Sequence, residues 1–314
     1  NWLRIMNIQF GWIDDFYKII IKYAKPFRLL KVLRGGQHII TGVKFSGDNR
    51  KIVAVGDKII QIWDIETEKQ LYKLTEPYSR INAAVFLPDG NTIVTCSSNK
   101  IIQLWDVNSG TRIKTLKGHL HSVFDINVSL DGKYIVSSSA DGTLRLWDVN
   151  DKKEIQKLVC HSNVVLSVPY LLDDQIIVST FDDNTINTWN ITSGEKLKEF
   201  KVHFDDVGCN TFSPDGTFVA FSVNDDNTVR IWDVASEKEI RVLKGHAGTV
   251  KGLTYFRDGQ TLISWSDDDT IYLWDVNSGN KKLKLICDAN NVDVSPDGKT
   301  IAATVWGGSI EIWG

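Results

Sequence analysis

The stretch Thr143–Asp148, TLRLWD, decides the fold of this chain because its pattern recurs along most of the sequence. A three-residue pattern returns every 39 to 43 residues. It consists of an aliphatic residue or threonine, then tryptophan, and then usually Asp or Asn. A period of this length indicates one supersecondary unit copied several times. The seven copies are marked by Trp63, Trp105, Trp147, Trp189, Trp232, Trp274 and Trp313.

The copy around Trp147 shows what each unit contains. Apolar runs rich in β-formers are separated by Asp131-Gly132 and Asp141-Gly142, and Asp-Gly between such runs favours a hairpin turn. Residues 143–147 alternate in polarity, and residues 154–158 form a fourth, more polar run. Four strands, a to d in chain order, repeated seven times predict an all-β chain: a closed, seven-bladed β-propeller of four-stranded antiparallel blades.

From about residue 28 to residue 314 the chain resembles the WD-repeat β-propellers of the G-protein β-subunit type. The recurring tryptophans, with Gly118-His119 and Gly245-His246 upstream, carry the resemblance. In that family a histidine, a hydroxyl on strand b, an aspartate in the b–c turn and the tryptophan on strand c form a hydrogen-bonded tetrad. The resemblance implies the tetrads His119, Ser137, Asp141 and Trp147 in blade 3; His161, Ser179, Asp183 and Trp189 in blade 4; His203, Ser222, Asp226 and Trp232 in blade 5; and His246, Ser264, Asp268 and Trp274 in blade 6. Blade 5 carries one extra residue after Asp215.

Histidine, serine and aspartate in one chain also suggest a hydrolase triad. Fourfold recurrence at a fixed spacing favours a structural role instead, because unpairing one such buried group costs roughly 1–3 kcal/mol. Only His38 and His121 lie outside the pattern. Without a phosphate-binding glycine motif or paired metal-ligand spacing, we expect no cofactor, no metal site and no catalytic residues. An enzyme that uses the central channel is the alternative.

The same resemblance implies where a partner binds. In the family, contacts commonly come from the residues three and five positions after the histidine and from the residue before the turn aspartate, on the narrow loop face. Carried over by position, this predicts partner contacts at Arg80, Asn82, Phe124, Val164, Leu166, Asp182, Asp206, Asp225, Lys251, Asp267 and Trp306. Carboxylates around an apolar group favour a protein or peptide segment that carries Lys or Arg and a hydrophobic anchor. The alternatives are that doubled aspartates are ordinary turn composition, and that partners bind only to the sides of the propeller.

Blades 7, 1 and 2 depart from the tetrad pattern. The turn position holds Asn99 in blade 2 and Gly307 in blade 7. The hydroxyl position holds Val53 in blade 1 and Ala303 in blade 7. Two interpretations stay open: neutral drift beside the seam of the ring, or an arc of looser loops that faces a partner.

The two ends of the chain have different expected roles. The last unit ends just after Trp313, at the end of a third strand, so residues 28–33, RLLKVL, are expected to complete the seventh blade and remove both sheet edges. Residues 1–27 are expected to form an N-terminal appendage with a helix over about residues 13–24, ended by Lys25-Pro26. The appendage is expected either to pack on the flank of the propeller or to join an upstream domain of the same chain, since the start at Asn1 suggests a fragment of a longer protein.

Composition excludes several classes of partner. The formal net charge is -3 and the pI is about 6.1, so there is no basic field for nucleic acid or anionic lipid. The most apolar stretch, residues 16–24, is shorter than the ~20 residues that span a bilayer, and no membrane association is expected. The four cysteines show no paired spacing, which favours reduced thiols and a cytoplasmic location.

Overall fold

The structure, a computed structural model, describes residues 27–36, 38–76, 79–160, 165–167, 176–181, 185–201 and 207–314. Within these ranges every regular element is a β-strand, and the strands form seven four-stranded antiparallel sheets. The predicted seven-bladed propeller is therefore confirmed. Nothing helical in the described ranges is long and apolar enough to cross a membrane. The helix predicted for residues 13–24 lies outside the described residues.

The strands follow the chain in groups of four, one group to a blade. Blade 1 contains β2 (Ile40–Phe45), β3 (Lys51–Gly56), β4 (Ile59–Asp64) and β5 (Gln70–Thr75); blade 2 contains β6 (Ile81–Phe86), β7 (Thr92–Ser97), β8 (Ile101–Asp106) and β9 (Arg112–Lys117). Blade 3 contains β10 (Val123–Val128), β11 (Tyr134–Ser139), β12 (Thr143–Asp148) and β13 (Lys153–Val159); blade 4 contains β14 (Val165–Ser167), β15 (Ile176–Phe181), β16 (Thr185–Asn190) and β17 (Lys196–Lys201). Blade 5 contains β18 (Val207–Phe212), β19 (Phe218–Val223), β20 (Thr228–Asp233) and β21 (Lys238–Leu243); blade 6 contains β22 (Val250–Tyr255), β23 (Thr261–Ser266), β24 (Thr270–Asp275) and β25 (Lys281–Ile286). Blade 7 contains β26 (Ala289–Val294), β27 (Ile301–Val305), β28 (Ser309–Trp313) and β1 (Leu29–Arg34).

Burial within a blade follows the rise in polarity along each unit. The two middle strands of blade 3, β11 and β12, are buried along almost their whole length. Its outer strand β13 is mostly exposed and keeps one buried residue, Leu158. The middle strands are apolar because neighbouring blades cover both of their faces, while the outer strand lies at the rim and faces water.

The hydrophobic core is divided into seven clusters, one between each pair of adjacent blades. Trp147 of blade 3, for example, packs in one cluster with Ile102 and Leu104 of blade 2. Each tryptophan of the repeat therefore contributes a large apolar surface to the contact with a neighbour. These contacts continue around the whole ring.

The N-terminal strand closes the ring, as predicted. Strand β1 pairs antiparallel with β28, with Leu33 opposite Ile310. Two backbone hydrogen bonds extend the pairing: the Arg28 amide donates to the Gly314 carbonyl at 3.1 Å, and the Gly314 amide donates to the Arg28 carbonyl at 3.0 Å. The first and last described strands thus share one sheet, and neither strand is left without a partner along that side.

Candidate functional site

The loops of the blades divide between two faces of the propeller. In blade 3, strand a begins where strand b ends, with Val123 opposite Ser139. Strand c begins beside the end of strand d, with Thr143 opposite Val159. The d–a connections and b–c turns therefore share one face, which we call the upper face, and the a–b and c–d turns form the lower face.

Blade 3 connects its upper-face loops through a buried network of side chains. Trp147 Nε1 donates to Ser137 Oγ at 2.9 Å, and Ser137 Oγ lies 2.7 Å from Nε2 of His119. Nδ1 of His119 lies 3.0 Å from Oδ2 of Asp141, which also accepts from the Leu120 amide at 2.8 Å. The network therefore holds the d–a connection against the b–c turn.

Blade 6 repeats this geometry. Trp274 Nε1 donates to Ser264 Oγ at 2.8 Å, and Ser264 Oγ lies 2.7 Å from Nε2 of His246. Nδ1 of His246 lies 3.1 Å from Oδ2 of Asp268, which accepts from the Ala247 amide at 2.7 Å. The two blades thus use the same donors and acceptors in the same order.

Burial sets the charge state of these networks. It lowers the pKa of His119 and of His246 below the usual value for histidine, although the partner carboxylates oppose the shift. Burial alone would raise the pKa of Asp141, but hydrogen bonds from Thr143, the Leu120 amide and His119 bring it down to about 2. A neutral imidazole beside a carboxylate fixes the direction of donation: tryptophan to serine, serine to Nε2, and Nδ1 to aspartate.

The order Ser, His, Asp matches a hydrolase triad, but these side chains are too buried to reach a substrate. Ser137 and Ser264 are 0% exposed, and the His119 side chain is 1% exposed. A substrate carbonyl would have to approach a serine oxygen to within about 3 Å, and packed side chains fill that space. Among the described residues, no three His, Cys, Asp or Glu side chains are grouped as metal ligands would be.

In blade 4 only half of the implied tetrad belongs to the described residues. Trp189 Nε1 donates to Ser179 Oγ at 2.8 Å, as the equivalent pair does in blades 3 and 6. His161 and Asp183 lie outside the described residues, as does His203 of blade 5.

The hydroxyl position of blade 5 is occupied by Phe221, so the assignment of Ser222 to a tetrad is wrong. Trp232 pairs with Val219, which places Phe221 where Ser137 lies in blade 3. The extra residue of this blade lies in the b–c turn, which has four residues between β19 and β20 where blade 3 has three between β11 and β12. Ser222 Oγ instead accepts from the Cys209 amide at 2.9 Å.

The tryptophan and the turn aspartate of blade 5 also have different partners from those of blades 3 and 6. Trp232 Nε1 has no hydrogen-bond partner among the described residues. Asp226 keeps its place in the turn, where the Thr228 amide donates to it at 3.1 Å, and it forms an ion pair with Arg230 at 2.6 Å. The cation on strand c thus pairs closely with the turn carboxylate, whereas the equivalent Arg145 of blade 3 lies 3.8 Å from Asp141.

Blades 1 and 2 use glutamine in place of parts of the tetrad. In blade 1, Gln61 accepts from Trp63 Nε1 at 3.3 Å and donates to the Gly35 carbonyl at 2.9 Å. In blade 2, Gln103 donates to Glu76 of the d–a connection at 2.8 Å. Both d–a connections are therefore anchored to strand c without a histidine.

Sequence reasoning missed these glutamines, although the chain contains a signal for them. The residue two positions before each repeat tryptophan is polar or carries a polar group in every blade, on a strand that is otherwise largely apolar. These residues are Gln61, Gln103, Arg145, Asn187, Arg230, Tyr272 and Glu311. Polar side chains on a buried strand need partners, so a search for repeated polar positions would have found them.

The predicted partner residues occupy different environments on the upper face. Arg80 and Asp225 are exposed, Phe124 is 36% exposed, and Trp306 is 61% exposed. Asn82 is partly used inside the protein, because its Nδ2 donates to the Val123 carbonyl at 2.7 Å. Val164, Asp182 and Asp206 lie outside the described residues, and Leu166 lies in β14 without a described side chain.

Lys251 is held between two carboxylates. Its Nζ lies 3.1 Å from Asp267 and 3.3 Å from Asp288, which belongs to the next blade. Burial opposes the charged form of Lys251, but the hydrogen bonds to Asp267 and Asp288 outweigh it and raise its pKa. Lys251 therefore neutralises part of the acidic rim and joins blades 6 and 7.

A depression with a mixed polar and apolar lining lies in the upper part of the central channel. It has a volume of about 260 Å³ and is bordered by strands of blades 1, 2, 3 and 7. Its apolar lining residues are Val43, Val53, Val55, Ala83, Ala84 and Phe124, and its polar lining residues are Thr41, Lys44, Asn82, Asp125 and Asn291. This volume is smaller than the roughly 300–1,000 Å³ of a typical small-molecule pocket and suits a side chain of a partner.

Comparison with models of protein families gives six matches, all to the WD domain, G-beta repeat. They cover residues 27–64, 68–106, 110–148, 152–190, 194–233 and 237–275. The matched segments run from an outer strand through the next three strands and leave out residues 276–314, where Ala303 and Gly307 replace tetrad residues. A search of curated proteins found no match. The six matched repeats cover most of the chain, and it belongs to the WD-repeat family of β-propellers.

Proposed function

We propose that the upper face is a noncatalytic recognition site for a protein or peptide segment that carries Lys or Arg and a hydrophobic anchor. WD-repeat propellers generally act as protein-interaction scaffolds. The observation that supports this site is the depression, with the partly exposed ring of Phe124 and several aliphatic side chains on its wall, on the same face as the exposed carboxylates of Asp225 and Asp267. An anchor would be desolvated in the depression while cationic heads meet carboxylates.

The proposal is tested by peptide selection on the purified chain. A random peptide library should yield binders enriched in Lys or Arg together with an aliphatic or aromatic residue. Phe124→Ala should weaken the selected binders about tenfold, because central apolar anchors commonly contribute more than about 1 kcal/mol. Leu130→Ala is the matched control, since Leu130 is similarly apolar, 52% exposed and placed on the lower face. Enrichment of acidic or phosphorylated peptides would contradict the proposal.

Lys251 provides a second test in the opposite direction. Lys251→Met removes the positive charge, keeps most of the apolar stem and leaves Asp267 and Asp288 available to a ligand. A Lys-bearing peptide should then bind severalfold more tightly, and the gain should shrink at high salt. Isothermal titration calorimetry at low and high salt measures both effects. Weaker binding by Lys251→Met would mean that the lysine itself contacts the ligand.

A second candidate function is a scaffold that binds partners through its sides. Outer strands carry an exposed aliphatic residue at the same position in successive blades: Leu30, Leu71, Ile113, Ile155 and Leu197. In affinity purification followed by mass spectrometry, partners lost by an Ile113→Ser, Ile155→Ser variant but kept by Phe124→Ala, Trp306→Ala would favour this function.

The location of the protein is part of the same proposal. All four cysteines are free thiols, and burial raises the pKa of Cys160 to about 12 and that of Cys209 to about 11. Unpaired, unreactive thiols are typical of proteins kept in a reducing compartment. We therefore propose a cytoplasmic location, which imaging of the tagged protein would test.

A further inference from the structure

The upper face carries opposite charges on its two sides. Blades 5 and 6 and the connection into blade 7 form an acidic arc, defined by Asp225, Asp267, Asp269 and Asp288. The side chains of Asp267 and Asp288 are 59% and 42% exposed, and Lys251 neutralises only part of their charge. A cationic ligand would therefore still be attracted to this arc.

Blades 1 and 2 form a basic arc, defined by Lys58, Arg80 and Lys100. All three are exposed, and among the described residues none of them forms an ion pair shorter than 4.0 Å. Asp57 is the one exposed carboxylate beside them in the b–c turn of blade 1. The arc therefore keeps a net positive charge that is available to a ligand.

The sign of the charge changes at one repeated turn position. Lys58, Lys100 and Asp269 are each the last residue of a b–c turn, and each has a positive φ, of 61°, 75° and 59°. This left-handed conformation does not require a charged side chain, since Gly142 occupies the same position in blade 3 with a φ of 73°. The backbone at this turn position is thus the same in blades 1, 2, 3 and 6, and the side chain there sets the sign of the charge.

The depression is bordered by the same two blades that carry the basic arc. Its walls come mainly from strands a and b of blade 1, strand a of blade 2 and strand a of blade 3. An anchor side chain seated there would place one flank of the ligand over Lys58, Arg80 and Lys100. The other flank would cross the channel mouth toward the acidic arc.

We propose that the upper face selects a dipolar segment: acidic residues on one side of the hydrophobic anchor and Lys or Arg on the other. This inference rests on the proposed function and adds the polarity of the ligand to it. Complementary charges at both ends fix the direction in which the segment lies, and a uniformly basic segment meets repulsion at the basic arc.

Three synthetic peptides of equal length, each with one central leucine, test this polarity. The first has three lysines at one end and three glutamates at the other, the second alternates the same residues, and the third has lysines at both ends. The first peptide should bind roughly tenfold more tightly than the second and the third, because each exposed charge pair contributes up to about 1 kcal/mol. The first peptide made in reversed sequence controls for backbone direction.

A charge-reversal variant gives the decisive comparison. Lys58→Glu, Lys100→Glu should weaken the dipolar peptide about tenfold and strengthen the uniformly basic peptide. Lys69→Glu, Lys153→Glu is the matched control, because both lysines are exposed on the lower face and the change in net charge is the same. Fluorescence anisotropy of labelled peptides measures every combination.

The outcomes separate this inference from the proposed function. If the uniformly basic peptide binds as tightly as the dipolar one and the charge reversal changes neither, the dipolar inference is wrong and the proposed function stands. If none of the peptides binds, or if Phe124→Ala leaves binding unchanged, the proposed function fails and the inference fails with it. Equal loss with the upper-face and lower-face lysine variants would show long-range attraction only and would overturn the inference.

Discussion

Blades 3 and 7 build the same four-stranded sheet with very different polar groups. In blade 3 the strand-c tryptophan donates into a buried network that ends at Asp141. In blade 7 the corresponding positions hold Ala303 and Gly307, and Trp313 Nε1 has no hydrogen-bond partner among the described residues. The blade itself is therefore specified by apolar packing, and the tetrad adds a fixed position for the upper-face loops.

Blade 1 lies between these extremes. Gln61 is 0% exposed and connects Trp63 to the Gly35 carbonyl, so one side chain performs part of the task of the tetrad. A Cβ added to Gly35 would overlap the amide group of Gln61, so a larger residue there would displace the side chain that anchors this loop. Loss of the tetrad therefore does not by itself produce a loose loop, and blades 7, 1 and 2 differ from one another as much as from blade 3.

The largest expected effect comes from removing the imidazole of blade 3. His119→Ala should lower the free energy of unfolding by about 3 kcal/mol, because it removes partners from Ser137 and Asp141 and leaves a cavity. His121→Ala is the control, since His121 is exposed in the same connection and should change stability by less than about 0.5 kcal/mol. Urea denaturation measures both, and equal effects would mean that the network contributes nothing specific.

An exchange of one hydroxyl between blades should have an intermediate effect. Ser137→Ala should cost about 2 kcal/mol, because the Trp147 indole N–H then loses its acceptor in a buried site. Ala303→Ser places a hydroxyl ten residues before Trp313, as in blade 3, and should be neutral or stabilise by up to about 1 kcal/mol. Indole N–H exchange, followed by NMR, should slow at Trp313 in that variant. Unchanged exchange would show that the new hydroxyl does not reach the indole.

The smallest expected effect is a gradual loss of stability in acid. The pKa of His119 is lowered in the folded chain, so the unfolded chain takes up a proton first as the pH falls below about 6.5. The pKa of Asp141 is also lower in the folded chain, about 2 against about 3.9 when unfolded, so it acts in the same direction. Stability should be complete above about pH 6.5 and decrease toward pH 4. Urea midpoints measured across this range would contradict the assignment if they rose on acidification.

The repeat made the blades predictable, because apolar spacing and turn chemistry act locally within about 42 residues. The position of Ser222 was not predictable in this way. The spacing from Asp215 to Trp232 is the same whether the extra residue lies between Asp215 and Ser222 or in the b–c turn. Only the pairing of Val219 with Trp232 distinguishes the two positions. The register of a strand depends on its partner, which spacing alone does not reveal.

The chemistry of the upper face was less predictable than the fold. The sequence suggested Lys251 as an available cation, but Asp288 from the next blade helps to neutralise it. The family pattern does not mark Lys58 and Lys100, because it marks the residue before the turn aspartate and these lysines follow that position. An ion pair such as Lys251–Asp288 joins two blades, so it can be recognised only when the arrangement of the blades around the ring is known.

The closure of the ring also constrains the order in which the molecule can form. Among the described residues, the one strand that pairs with β1 is β28, more than 270 residues later in the chain. During synthesis this first strand emerges long before its partner exists, while each of the other sheets consists of neighbouring segments. Contacts of such long range are slow to form, so we expect blade 7 to be the last to assemble and the place where a newly made chain is most exposed to aggregation.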